Sequence, residues 1–217
     1  MKGLLIICLA CFLQEALYAD TTAKVWNSLS YTKTSGKYSY YLESQLRIRA
    51  RNDFYEQSLN LISLAYQSSA TLSTAIGLTG VDHGRNGNSR GVDEYRTWQQ
   101  LTHNSQVNQY QYFLRSRFEQ RKRNDSRIWN YRIRERLFIS KSFRPSFFFV
   151  VYDEIFININ QPHWLATKTF DQNRLSIGLN QAASKTITLG VAYIYQIITS
   201  HPRQTGHIAA FNLQYLD

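Results

Sequence analysis

The sequence predicts an all-β fold, a transmembrane antiparallel up-and-down β-barrel of 10–12 strands. Three observations predict it. Apolar and polar side chains alternate with a two-residue period through nearly the whole chain after residue 20. Many of the alternating segments exceed the roughly 9–11 residues that a tilted membrane strand requires. The connections between them alternate between short and long, the pattern of periplasmic turns and extracellular loops. A soluble sandwich would also alternate, but its strands are shorter, with a mode of about 5–6 residues. Trp and Tyr gathered towards the segment ends, where membrane interfaces would lie, favour the membrane form.

The first element is not part of the barrel. Met1-Lys2 supplies a positive start, Leu4 to Leu13 an apolar run, and Leu17-Tyr18-Ala19 a small-residue cleavage site. Residues 1–19 therefore read as a cleaved secretory signal peptide, and 20–217 as a single outer-membrane β-barrel domain. Cys8 and Cys11 both lie in the signal, so the mature chain offers neither disulfides nor thiolate metal ligands. No later segment approaches the roughly 20 apolar residues of a membrane helix. The formal net charge is +10. Charge alone would permit nucleic-acid binding, but export argues for no nucleic-acid partner.

The barrel segments follow in order. Lys24–Lys33 is the first strand-like stretch. From Lys37 to Arg51, Tyr38, Tyr40, Leu42, Leu46, Ile48 and Ala50 oppose Glu43, Gln45, Arg47, Arg49 and Arg51. Further on, Tyr110, Tyr112, Leu114 and Phe118 oppose Arg115, Arg117, Glu119, Arg121 and Arg123. Then Trp129, Tyr131, Ile133, Leu137 and Ile139 oppose Asn130, Arg132, Arg134, Arg136 and Ser140, with Glu135 interrupting the apolar face. Phe147, Phe149, Val151, Ile155 and Ile157 oppose Tyr152, Glu154 and Asn158. The last three segments alternate through Leu175–Leu179, Ile187–Ile197 and Ala209–Tyr215. Successive strand side chains point to opposite faces, so each segment carries one oily and one polar face.

Short links are expected at Thr34–Gly36, Gln67–Ser69, Asn104–Gln106, Ser142–Pro145 and Ala182–Lys185. Longer ones are expected at Val81–Val92, Lys122–Ser126, Ile159–Thr169 and Ser200–Gly206, with Asn52–Asp53 brief. This division yields eleven strand-like segments, whereas bacterial single-chain barrels normally have even numbers. Ten strands with Asp20–Lys33 in the lumen, or twelve strands, would restore parity.

Glu94-Tyr95-Arg96-Thr97-Trp98-Gln99-Gln100, Arg47-Ile48-Arg49, Arg117-Phe118-Glu119-Gln120-Arg121, Arg132-Ile133-Arg134-Glu135-Arg136, Tyr152-Asp153-Glu154-Ile155-Phe156-Ile157-Asn158 and Phe170-Asp171-Gln172-Asn173-Arg174 occur in this order along the chain. This series resembles the bacterial family called Domain of Unknown Function 2490, over essentially the whole mature chain. The resemblance implies an outer-membrane barrel and no particular reaction. The terminal Leu216-Asp217 departs from the aromatic ending common in such barrels, with Tyr215 close by.

If the apolar face meets lipid, the polar face lines the lumen. That places Arg47, Arg49, Arg96, Arg115, Arg117, Arg121, Arg132, Arg134, Arg136 and Arg174 inside, with Glu43, Glu94, Glu119 and Glu154. Trp98, Tyr152 and Asn158 share the space. Arginine suits a crowded interior because its planar fork binds a carboxylate through two bonds and stays charged. The expectation is a structural barrel or a narrow anion-preferring pore. Its partners would be outer-membrane lipid and lipopolysaccharide, the barrel insertion machinery and small anions. A lipid-modifying acyl hydrolase or transferase is the alternative from a different class. It would need a nucleophile beside a base, and Asp82-His83 is the one adjacent acid–histidine pair. No Gly-x-Ser-x-Gly or His-Glu-x-x-His motif occurs. The scattered histidines indicate no metal, and no cofactor is expected.

Overall fold

The computed structural model describes residues 23–49, 55–84, 93–200 and 203–217. The expected signal peptide, the expected Asn52–Asp53 link and most of the Val81–Val92 loop lie outside the described residues. The chain forms eleven strands: β1 Ala23–Ser35, β2 Tyr38–Arg49, β3 Tyr55–Gln67, β4 Leu72–His83, β5 Asp93–Val107, β6 Tyr110–Arg123, β7 Asn130–Arg144, β8 Phe147–Asn158, β9 Thr167–Ala182, β10 Ile187–Ser200 and β11 Gln204–Leu216. Each pairs with its sequence neighbours, and β1 pairs with β11 to close the barrel.

All sequential pairs are antiparallel, while β1 and β11 run parallel, from Ala23↔His207 to Thr32↔Leu216. An odd strand number makes this unavoidable, because the first and last strands then point the same way. The expectation of an even count is therefore corrected. Residues 23–35 are neither a plug nor a local hairpin but a full stave, bonded on both edges. Parallel pairing is slightly weaker per residue. The closure is reinforced at its end, where the Asp217 amide donates to Thr32 O (2.8 Å) and Lys33 Nζ donates to Asp217 Oδ2 (2.9 Å).

Strand lengths of 12 to 16 residues match the long-segment expectation. Three of the short links are two-residue turns, each with one residue at positive φ: Gly36 (58°), Asn108 (54°) and Ser146 (67°). Such turns match the twist of the flanking strands only when the backbone enters this region, which glycine and asparagine reach most easily. The link expected at Asn104–Gln106 falls later, at Asn108-Gln109, because β5 stays paired out to Val107↔Tyr110.

The alternation sorts as expected. Leu29, Leu42, Ile62, Ile76, Leu78, Leu114, Leu137, Leu175 and Ile177 stand exposed on the outer wall. Aromatic residues cluster at both ends of that wall. Tyr38–Tyr66, Phe143–Phe147 and stacked Tyr31–Tyr215 lie near the short turns, and stacked Phe118–Tyr131 near the long loops.

Glu135, which interrupts the apolar pattern, does face outward, and Ser116 Oγ on β6 donates to it at 2.6 Å. It belongs to a polar seam crossing β5–β9. Thr97 donates to Gln120 (2.5 Å), Gln120 to Gln99 (2.9 Å) and Asn173 to Asp153 (2.8 Å). Each of these polar groups on the outer wall is thereby paired with a neighbour.

Candidate functional site: an arginine-rich barrel interior

A cavity of about 690 Å³ runs inside the barrel. Its lining extends from Lys24, His83 and Arg121 near the long-loop end to Tyr41, Phe138 and Asn180 towards the short-turn end. Ten cationic side chains line it, Lys24, Arg47, Arg96, Arg115, Arg117, Arg121, Arg132, Arg134, Arg136 and Arg174, against five carboxylates, Glu43, Glu56, Glu94, Glu119 and Asp171. A sixth carboxylate, Glu154, is completely buried among the arginines.

The carboxylates act as multi-arginine hubs. Glu154 on β8 accepts from Arg134 Nη2 (2.7 Å), Arg136 Nη2 (2.7 Å) and Arg115. Glu119 on β6 accepts from Arg134 Nη1 (2.6 Å) and Arg132 Nη2 (2.6 Å). Arg132 continues to Asp171 at 2.7 Å, and Asp171 also accepts from Thr167 Oγ1 at 2.6 Å. The result is a continuous chain, Asp171–Arg132–Glu119–Arg134–Glu154–Arg136, spanning β6 to β9. Nearer the long-loop end, Glu94 takes both Nε (2.6 Å) and Nη2 (3.1 Å) of Arg121, and Arg96 Nε at 2.6 Å. Every bridge is a charge-assisted hydrogen bond to a carboxylate that is almost fully buried, the condition under which such pairs are strong and broken ones costly.

Aromatic rings carry arginines that carboxylates do not saturate. Arg117 lies 3.8 Å over Trp98 and gives Nε (2.9 Å) and Nη2 (2.6 Å) to Gln100. Arg47 lies 3.9 Å over Trp26, and Arg174 sits over both Trp26 (4.8 Å) and Phe156 (4.7 Å). Arg136 covers Tyr152 at 4.5 Å. Guanidinium stacked on an aromatic face gains electrostatic attraction without a formal counter-charge. Trp98 itself is held by its indole N–H donating to Thr79 Oγ1 (3.1 Å) and by Gly77, whose missing side chain makes room for the ring.

Most residues expected inside line the cavity, but three do not: Glu154, buried among the arginines, and Arg49 and Asn158. Arg49 lies at the rim, exposed, with Glu56 at 3.4 Å as its partner. It occupies the last position of β2, where the wall ends, so its polar parity does not enclose it. Asn158 is buried but ties β8 to β9, donating to Thr167 Oγ1 (3.2 Å) and Lys168 O (3.0 Å).

Parity also misses two interior carboxylates. Glu56 and Asp171 fall at register shifts, between Arg47↔Gln57 and Ile48↔Tyr55, and between Phe156↔Gln172 and Ile157↔Phe170. An extra residue in one strand turns a side chain that alternation assigns outward into the interior. Asp171 thereby reaches Arg132, and Glu56 accepts from Lys24 Nζ at 2.6 Å. A lone acidic residue beside an aromatic at the strand's long-loop end is the signal that was available.

At the long-loop end, the segment after β8 folds towards the mouth. Trp164 donates to Ile128 O (3.0 Å), and Arg121 and Arg123 lie 5.5 and 5.6 Å from its ring. Arg123 donates to Asp125 through Nε (2.9 Å) and Nη2 (2.5 Å), holding that carboxyl below its usual range. Of the described histidines, His83 lies 3.7 Å from Glu94, and His207 hydrogen-bonds Tyr193 at 2.7 Å on the outer wall. Neither of these contacts is a serine–histidine pair, so the hydrolase alternative gains no support from them.

Fold and interior together define a closed β-barrel with an ion-paired, arginine-rich core and an apolar outer wall. The family model described as "Protein of unknown function (DUF2490)" matches residues 23–207, and the chain belongs to that family. No curated protein and no solved structure matches it.

Proposed function

We propose that the protein is an outer-membrane barrel, delivered there by the 1–19 signal peptide, whose interior is a narrow anion-preferring pore. The observation that carries this reading is the cation surplus around the elongated cavity, ten cationic side chains facing six carboxylates counting buried Glu154. A surplus of fixed positive charge in a confined passage lowers the energy of anions and raises that of cations. The apolar outer wall, flanked by aromatic residues at both ends, supports membrane placement. Lipid and lipopolysaccharide would meet that wall, the insertion machinery would handle the chain during assembly, and small anions would be the solutes.

The test is planar-bilayer conductance of the refolded 20–217 chain under a salt gradient. We expect steady conductance with a reversal potential on the anion side. Arg47→Gln with Arg174→Gln should move that potential towards zero, because neither arginine has a carboxylate within 4.0 Å, among the described residues, that its removal would strand. Arg132, Arg134 and Arg136 are poor probes, since their removal strands Glu119, Glu154 and Asp171. A folded but silent barrel would refute the pore.

A further inference from the structure

We infer that the interior holds a specific site for a doubly charged tetrahedral oxyanion, a phosphate group, between Arg47 and Arg174 at Trp26. This deepens the anion-preferring reading and rests on it only in requiring that solutes reach the interior, not that they pass through.

Both arginines are more than nine-tenths buried. Neither has a carboxylate within 4.0 Å among the described residues, unlike Arg132, Arg134 and Arg136. Arg47 gives its two terminal nitrogens to Gln57 and Gln45, both at 2.8 Å, and its Nε has no partner. Arg174 is worse served. Its one described hydrogen bond reaches Gln172 at 3.4 Å, and its Nε is likewise unpartnered. The indole N–H of Trp26 is a third buried donor without an acceptor.

The nearby carboxylates cannot answer this need. Glu154 sits directly opposite Arg174 in the β8–β9 register, yet its oxygens are taken by Arg115, Arg134 and Arg136. Glu56 is held by Lys24. Buried positive charge without compensation is costly, and orphaned donors are costly again. A bound anion relieves both.

The donor set selects the ligand class. Two guanidinium groups with no carboxylate within 4.0 Å among the described residues supply two positive charges, which a dianion matches and a monocarboxylate does not. Arginine forks match tetrahedral oxyanions through paired bonds. Trp26, Arg47 and Arg174 all line the cavity of about 690 Å³, and Trp26 is seated on its β10–β11 side by packing with Ile194, Ile208 and Ala210. Trp26 faces Arg47 in the β1–β2 register, so ring and guanidinium are positioned by the same strand pair.

The experiment is isothermal titration of the folded 20–217 barrel, in a phosphate-free glucoside detergent, with inorganic phosphate, sulfate and acetate. One saturable site is expected, with phosphate and sulfate binding at least tenfold tighter than acetate. Arg174→Gln and Arg47→Gln should each weaken phosphate at least tenfold. Arg123→Gln, at the rim and paired with Asp125, should leave it unchanged. If the glutamine variants fail to fold, Arg174→Lys keeps the charge and removes the fork, and should still weaken phosphate severalfold. Absence of saturable binding to the wild type, or binding indifferent to Arg47 and Arg174, overturns the site. Glycerol phosphate competing as well as inorganic phosphate supports a site for a phosphate group on a larger molecule, whereas failure to compete supports a free-anion site. A silent barrel that binds phosphate keeps this site and removes the pore. A conducting barrel without saturable binding does the reverse.

Discussion

Trp98 shows how much a single position depends on its neighbour across the sheet. A Cβ placed on Gly77 would stand 2.2 Å from the Trp98 ring, a side chain with almost no exposure and no flexible end to move. The ring also carries Arg117 and donates to Thr79. Gly77→Ala should therefore destabilise the barrel by about 1–3 kcal/mol, the usual cost of overpacking. Urea unfolding in detergent, followed by tryptophan fluorescence, reads this directly. Combining it with Trp98→Phe should recover part of the loss, and no recovery would mean the strain lies elsewhere. Trp98 was readable from sequence as an interior residue by parity, but its reliance on Gly77 was not, because that contact exists only once β4 and β5 are in register.

Among the strands, β6 and β7 present the sharpest conflict. Their register sets Arg115 opposite Arg136 and Arg117 opposite Arg134, like charges on the same face. Such pairs repel when directly opposed. They are tolerated because β8 inserts Glu154 and β6 itself contributes Glu119 between them. Glu154→Gln keeps the shape but removes the charge shared by three arginines. It should cost about 3–5 kcal/mol, as breaking a buried ionic cluster does. The loss should appear in urea midpoint at constant slope. A change below about 1 kcal/mol would show that water already compensates these arginines. Alternation along β6, β7 and β8 was enough to place every one of these side chains inside. Which carboxylate meets which arginine was not legible, since pairing depends on inter-strand register.

For the molecule as a whole, the decisive feature is closure through a parallel β1–β11 seam. Ser28 Oγ donates to Asn212 Oδ1 at 2.6 Å across it, and the two residues are paired in register. The two native cysteines lie at positions 8 and 11, ahead of Asp20. Ser28→Cys with Asn212→Cys in the 20–217 chain should therefore form one intramolecular disulfide on oxidation, seen as a mobility shift that reductant reverses. A ten-stranded barrel with residues 20–33 loose would not form it efficiently. Eleven segments were countable in the sequence, and only the habit of even-stranded barrels argued against taking that count at face value.

The sequence by itself determined the strand class, the approximate segment borders, the outward apolar face and the inward arginines, because all of these follow from a two-residue period that is local to each strand. Tertiary structure alone decided the parallel closure, the inward turn of Glu56 and Asp171, and the split between paired arginines and the unpaired Arg47 and Arg174. The physical reason is the same in each case. A bulge reverses parity without leaving a periodic trace, and counter-charges are shared between strands brought together only by register. Arg134 and Arg174 look alike in the sequence, each an arginine in an alternating run, yet one bridges two glutamates and the other faces a carboxylate already taken.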